Sequence, residues 1–248
     1  MKYKALISSD WNECLAPCGP FDPISFTYPD LEPELSGIFA KYTGNEIALA
    51  EAIQRISALL PAPLTIDQMD AYLDACFVTY SGVPDLIEWC LNHGILFVIN
   101  TTGTQGYFQR VFSKNLIPDV PFVAANPLIR FLGAARDPHF LYQVTEIEDK
   151  AKNTESMMRL LGISPRRVVV MGDSGGDGPH FKWGYSTGAF LIGSMIKPSL
   201  ETYCRQRRII VHERFGLSYS PGEERDRSRE MQTNFMELTE SLSAVLDS

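Results

Sequence analysis

Short apolar segments that end in polar or glycine residues, separated by helical patterns, constrain this chain more than any other feature. Residues 5–8, 95–100, 168–171 and 189–192 are continuous apolar or β-branched runs, the pattern of strands buried on both faces. Residues 122–125 make a weaker fifth. Segments 84–93, 105–115 and 150–161 between them carry helical patterns. This alternation predicts an α/β fold, a doubly wound parallel sheet. Ligands in such sheets sit at the carboxyl ends of the strands, so the chemistry is expected in the polar residues that close them.

One region interrupts the alternation. Residues 16–82 open with Pro17, Pro20, Pro23, Pro29 and Pro33, then read as helix through Ile47, Leu49, Ala52, Ile53, Ile56 and Leu60, with a second helix over 67–78. A small helical cap inserted after the first strand is predicted, with 1–15 and 83–248 forming the α/β core. Residues 218–230 read as a polar loop whose charged end is solvated, and 235–246 as a last amphipathic helix. At 248 residues and 45% hydrophobic composition, there is enough apolar material for one sizeable core and a small appendage.

Composition also excludes some partners. Thirty acidic against 22 basic side chains, a net charge of -8, disfavour nucleic acid and anionic membranes, though not a small anion in a locally positive pocket. No apolar run approaches the roughly 20 residues that cross a bilayer. The stretch after Lys2 and Lys4 turns polar at Ser8, Ser9 and Asp10, too early for a secretory signal. A cytoplasmic protein with reduced thiols at its five scattered cysteines is expected. The oligomeric state is not set by the sequence.

Two strand ends carry chemistry. Thr101, Thr102, Gly103 and Thr104 follow the second run and lead into a helix, offering hydroxyls and N–H groups to a phosphate. Gly172-Asp173-Ser174-Gly175-Gly176-Asp177 follows a buried strand. Two carboxylates four apart on a tight turn repel each other unless a hard cation joins them, and magnesium is the natural candidate. The same string matches the GDSGG of chymotrypsin-like proteases, but those need an all-β pattern and a disulfide framework, and neither is visible.

A strand ending in an aspartate, a second ending in a hydroxyl, a lysine opening a helix and a GDxxxD turn together resemble the haloacid dehalogenase superfamily, in its phosphoserine-phosphatase-like branch. The resemblance spans nearly the whole chain. It places Asp10 on the family's nucleophile, Asn12 on its acid/base position, Cys14 on its threonine, and Leu15 on the following apolar residue. Thr101 falls on the second-motif hydroxyl, Lys150 on the third-motif lysine with Lys152 as a neighbouring alternative, and Asp173 and Asp177 on the fourth motif. The resemblance implies a small phosphorylated metabolite as substrate. It also implies magnesium on Asp10, Asp173 and the backbone oxygen of Asn12, with Asp177 in support, while Lys150 and Thr101 hold the transferring oxygens.

Asn12, Cys14 and Ser9 depart from the family pattern, and Asn12 cannot shuttle a proton. Three other readings therefore stand beside the phosphatase. A shifted register would put Ser8 at the nucleophile and Asp10 at the acid/base. A C–P hydrolase resembling phosphonoacetaldehyde hydrolase would use Lys41 as a Schiff-base lysine. A homologue without turnover would only bind metal and phosphate. Phe21, Asp22 and Glu46 are the expected cap contacts to substrate.

Overall fold

The computed structural model describes residues 3–44, 46–132, 138 and 140–246. Its seven strands form one sheet with β1 (Ala5–Ser9) at the centre. On one side lie β2 (Ile95–Thr104), β3 (Phe122–Asn126) and β4 (Phe140–Gln143), and on the other β5 (Val168–Gly172), β6 (Phe190–Ser194) and β7 (Glu213–Phe215). Every neighbouring pair is parallel. The order β4-β3-β2-β1-β5-β6-β7 reverses direction at β1, as the doubly wound reading requires.

Four helices follow β1: α1 (Asp22–Thr27), α2 (Glu32–Thr43), α3 (Leu49–Leu59) and α4 (Ile66–Cys76). The later helices are α5 (Val83–Asn92), α6 (Gln105–Ser113), α7 (Asp149–Leu161), α8 (Gly178–Thr187), α9 (Pro198–Arg207), α10 (Arg227–Glu230) and α11 (Leu238–Leu246). Alternate residues of each central strand point to opposite faces of the sheet. Ile7, Phe97 and Val169 accordingly enter one apolar cluster, while Leu6, Leu96 and Val168 enter another. The first cluster runs on through Leu35, Leu49, Ile56 and Met69, so α2 to α4 share the core on that face of the sheet. Arg110 on α6 grips Asp70 on α4 with two hydrogen bonds of 2.7 and 2.8 Å.

Three features differ from the sequence reading. The proline-rich stretch contains α1 and α2, because Pro23 and Pro33 occupy first-turn positions, where a missing N–H costs nothing. The edge strands β4 and β7, at four and three residues, are too short to show a pattern. The charged run near 223–230 is not wholly solvated. Glu230 is fully buried, accepting hydrogen bonds from Tyr80 at 2.8 Å, Tyr219 at 2.6 Å and Arg225 at 2.6 Å. All five cysteines are unpaired, and no helix among the described residues is long and apolar enough to cross a membrane.

Candidate active site

Asp10 and Asp173 stand directly after the adjacent strands β1 and β5, and the Asp10 N–H donates to the Met171 carbonyl at 3.0 Å. Asp177 ends the short 3-10 turn Gly175–Asp177 and folds back over β5. Its Oδ2 accepts from the N–H groups of Asp173 and Ser174 at 3.0 and 3.2 Å. Only glycine permits this at position 172, since a Cβ there would lie 2.5 Å from the Asp177 carboxyl carbon.

Lys150, the second residue of α7, is buried and reaches two of these acids. Its Nζ lies 2.6 Å from Asp177 Oδ1 and 3.1 Å from Asp10 Oδ2. Asn100 anchors it from behind by donating to the Lys150 carbonyl at 2.8 Å. Lys152 instead pairs with Asp149 and is 69% exposed, so of the two lysines only Lys150 enters the cluster. Ser8 bonds Thr154 on α7 at 2.8 Å and is not among the cavity-lining residues, whereas Asp10 is.

The hydroxyl of Thr101 donates to Asn12 Oδ1 at 3.0 Å and accepts from the Gly103 N–H at 3.1 Å. A Cβ on Gly103 would stand 2.6 Å from Asn12 Oδ1, which accounts for the glycine. Thr102 lines the cavity, where the Tyr42 hydroxyl bonds it. The eight site residues expected from the sequence therefore gather at one end of the sheet.

Burial and neighbouring charge act on each acid differently. Burial raises the Asp10 pKa, with the Lys150 ammonium pulling the other way. Burial also pushes Asp173 up to about 8 despite Lys197, with Asp177 and Asp10 adding to the rise. Asp177 is buried as well, yet Lys150 and the two backbone donors hold it below the usual carboxylate range. Burial opposes the charge of Lys150, but Asp10 and Asp177 together hold its pKa above the ordinary lysine value.

Three residues escaped the sequence reading. Lys197, in the loop after β6, lies 2.7 Å from Asp173 Oδ2 and also pairs with Glu13. Glu13 in turn pairs with Arg225. Tyr42 reaches from α2 to the turn, where a Cβ on Gly176 would be 2.8 Å from its hydroxyl. Lys197 follows a strand end, a signal available in the sequence. Glu13 and Tyr42 had no local signal.

The cavity over Asp10 is small, about 10 Å³, with Pro20, Phe39, Tyr42 and Thr43 among its walls. A larger cavity of about 240 Å³ also touches Glu13, Pro20 and Phe39 and includes Phe21, Asp22 and Arg227. Glu46 and Lys41 are exposed and line neither.

The donor set fits a hard divalent cation. Asp10, Asp173 and Asp177 each offer an oxygen within 4.8 Å of the others. Buried Asp173 Oδ1 has no hydrogen-bond partner. Five linked carboxyl groups (Asp10, Glu13, Asp173, Asp177 and Glu230) face three cations (Lys150, Lys197 and Arg225), so acids outnumber cations by two. Oxygen donors without histidine or thiolate suit magnesium.

No protein-family model matches the chain, and no curated protein matches it in sequence. Solved structures do match. A phospho-aspartyl intermediate analogue of phosphoserine phosphatase is 17% identical, with a TM-score of 0.67, covering 97% of this chain and 99% of that one. A HAD family hydrolase from Salmonella enterica serovar Typhi is 12% identical, with a TM-score of 0.64, over 87% of this chain and 68% of that one. Cytosolic 5'-nucleotidase IIIB bound to cytidine is 14% identical, with a TM-score of 0.58, over 98% and 86%. Likeness at such low identity speaks to architecture alone: this protein has the haloacid dehalogenase fold.

Proposed function

We propose that this chain is a magnesium-dependent phosphatase that hydrolyses a small phosphorylated metabolite through an aspartyl-phosphate on Asp10. The observation that carries the reading is a buried Asp10 carboxylate facing the cavity beside Lys150 at 3.1 Å, with Asp173 and Asp177 in reach. The phosphoserine phosphatase neighbour, a phospho-aspartyl intermediate analogue, supports the same chemistry.

Asp10 attacks phosphorus; the bond to the leaving oxygen breaks and its electron pair departs with that oxygen. Water then cleaves the acyl phosphate, releasing inorganic phosphate and restoring the carboxylate. Magnesium, when bound, neutralises charge on the phosphoryl group. Asp10, Asp173 and the backbone carbonyl of Asn12 would hold it, with Asp177 in support. Lys150 and Thr101 hold the transferring oxygens, and the turn at Thr102 and Gly103 borders them.

The 16–82 segment serves as the cap. Phe39 and Tyr42 wall the cavity over Asp10, and their withdrawal and return would admit substrate and exclude water. Asn12 can neither give nor take a proton. General acid catalysis is typically worth about 10²- to 10⁴-fold, so esters with good leaving groups are the faster substrates. Lys41, exposed on α2, does not support the Schiff-base reading.

A metabolite screen with and without magnesium, run on wild type and Asp10→Asn, tests the proposal. Magnesium-dependent release of phosphate by wild type alone is expected. Equal release by Asp10→Asn refutes the nucleophile. Binding of a phosphate ester with no turnover by either protein favours the homologue that only binds, a reading motivated by Asn12 and Cys14 in place of the family's residues.

A further inference from the structure

Lys197 is held by both its backbone and its side chain. Its backbone N–H donates to the Asp173 carbonyl at 2.8 Å, fixing the loop after β6 to the turn after β5. The end of β6, from which that loop departs, is tied to the segment after β1, where Ser194 Oγ donates to the Cys14 carbonyl at 2.8 Å. The loop bends through Met195 at φ 49°, a left-handed conformation uncommon for a side-chain-bearing residue. Glu13, at φ 60°, takes the same conformation from the opposite wall and pairs with the Lys197 ammonium. The Phe39 ring of α2 lies 6.0 Å from that ammonium. Backbone, partner acid and aromatic wall thus fix a positive charge against one oxygen of Asp173, while the other oxygen has no partner.

We infer that Lys197 is a resident counter-cation that shares the Asp173 carboxylate with the divalent ion and so sets how tightly that ion is held. The inference rests on the metal reading of the site proposed above. Without the ion, Lys197 keeps Asp173 and Glu13 from standing as uncompensated charges in the interior. With an ion held at Asp173, the Lys197 ammonium and the metal would share one carboxylate and repel each other. Lys197 therefore trades metal affinity for a metal-free protein that stays folded. Lys150 differs in kind, because it contacts Asp10 and Asp177 and leaves Asp173 untouched.

The test is a calorimetric titration of Mg²⁺ into metal-free wild type, Lys197→Met and Lys197→Gln, with thermal melts of each protein at zero and saturating Mg²⁺. Asp173→Asn serves as the reference for a lost site. Removing one fixed charge beside a divalent ion should tighten Mg²⁺ binding by about tenfold or more. It should also lower the metal-free melting temperature and enlarge the rise that Mg²⁺ produces. If wild type binds Mg²⁺ and either folded variant binds equally or more weakly, the counter-cation role is wrong while the metal site stands. If wild type and both variants behave like Asp173→Asn, the metal site itself is wrong and the inference falls with it. The glutamine variant decides the matter if the methionine variant does not fold.

Discussion

The two sides of the acidic cluster are built differently. On the α7 side, Asp177 is bonded through both oxygens and Lys150 bridges it to Asp10. Opposite, Asp173 meets only the Lys197 ammonium and keeps one buried oxygen unpartnered. Burial is equal on the two sides, yet Asp177 is held below the carboxylate range and Asp173 is pushed above it. Burial alone raises both, but at Asp177 the Lys150 charge and the hydrogen bonds outweigh it, while at Asp173 the neighbouring carboxylates add to it against Lys197. One side is complete without a metal, and the other is poised to gain a ligand.

The sharpest way to break this contrast is to remove Lys150. Lys150→Met leaves Asp10 and Asp177 without their cation, and losing one partner of a buried pair typically costs about 3–5 kcal/mol. Denaturant unfolding should show that loss. A much smaller loss would mean that the α7 side does not depend on its lysine.

His180, behind the same side, comes next. It is buried, with Thr154 Oγ1 2.9 Å from its Nε2, and burial, aided by Lys150, lowers its pKa to about 3. The unfolded chain therefore takes up a proton that the folded one refuses as pH falls below about 6.5. Its contribution to stability is complete above that pH and is lost down to about pH 3, by at most about 5 kcal/mol. His180→Gln should flatten the acid limb of stability measured between those values; an unchanged limb would place the sensitivity elsewhere.

Asn12→Asp supplies a proton-carrying group opposite the finished side. It should speed turnover of unactivated alkyl phosphates by about 10²-fold, with little change for aryl phosphates. Equal effects on both classes would mean that leaving-group protonation is not the missing step. The smallest effect is expected from Thr101→Val, which deprives Asn12 Oδ1 of its donor. A neutral hydrogen bond is worth about 1 kcal/mol, so the melting temperature should fall by a few degrees, and no fall would show that the bond carries no net stability.

Much of the site was legible in the residues themselves. Asp10, Thr101 and Asp173 each belong to or follow a buried strand, and hydrophobic runs reveal strand ends without knowledge of their neighbours. Lys150 was legible only as a choice against Lys152, because one turn of helix does not show which residue faces inward. Arg225 and Glu230 read as surface for a related reason. Their burial depends on Tyr80 and Tyr219, and Tyr80 lies about 150 positions away in the chain.

The sequence by itself determined the parallel sheet, the strand-end acids and the helical insertion, since these follow from local apolar patterning and turn chemistry. Tertiary structure alone decided which lysine meets which carboxylate, that Tyr42 and Phe39 line the cavity at Asp10, and that Lys197 stands against Asp173. Coulomb energies and desolvation depend on distance and burial in space, and a linear order of residues specifies neither.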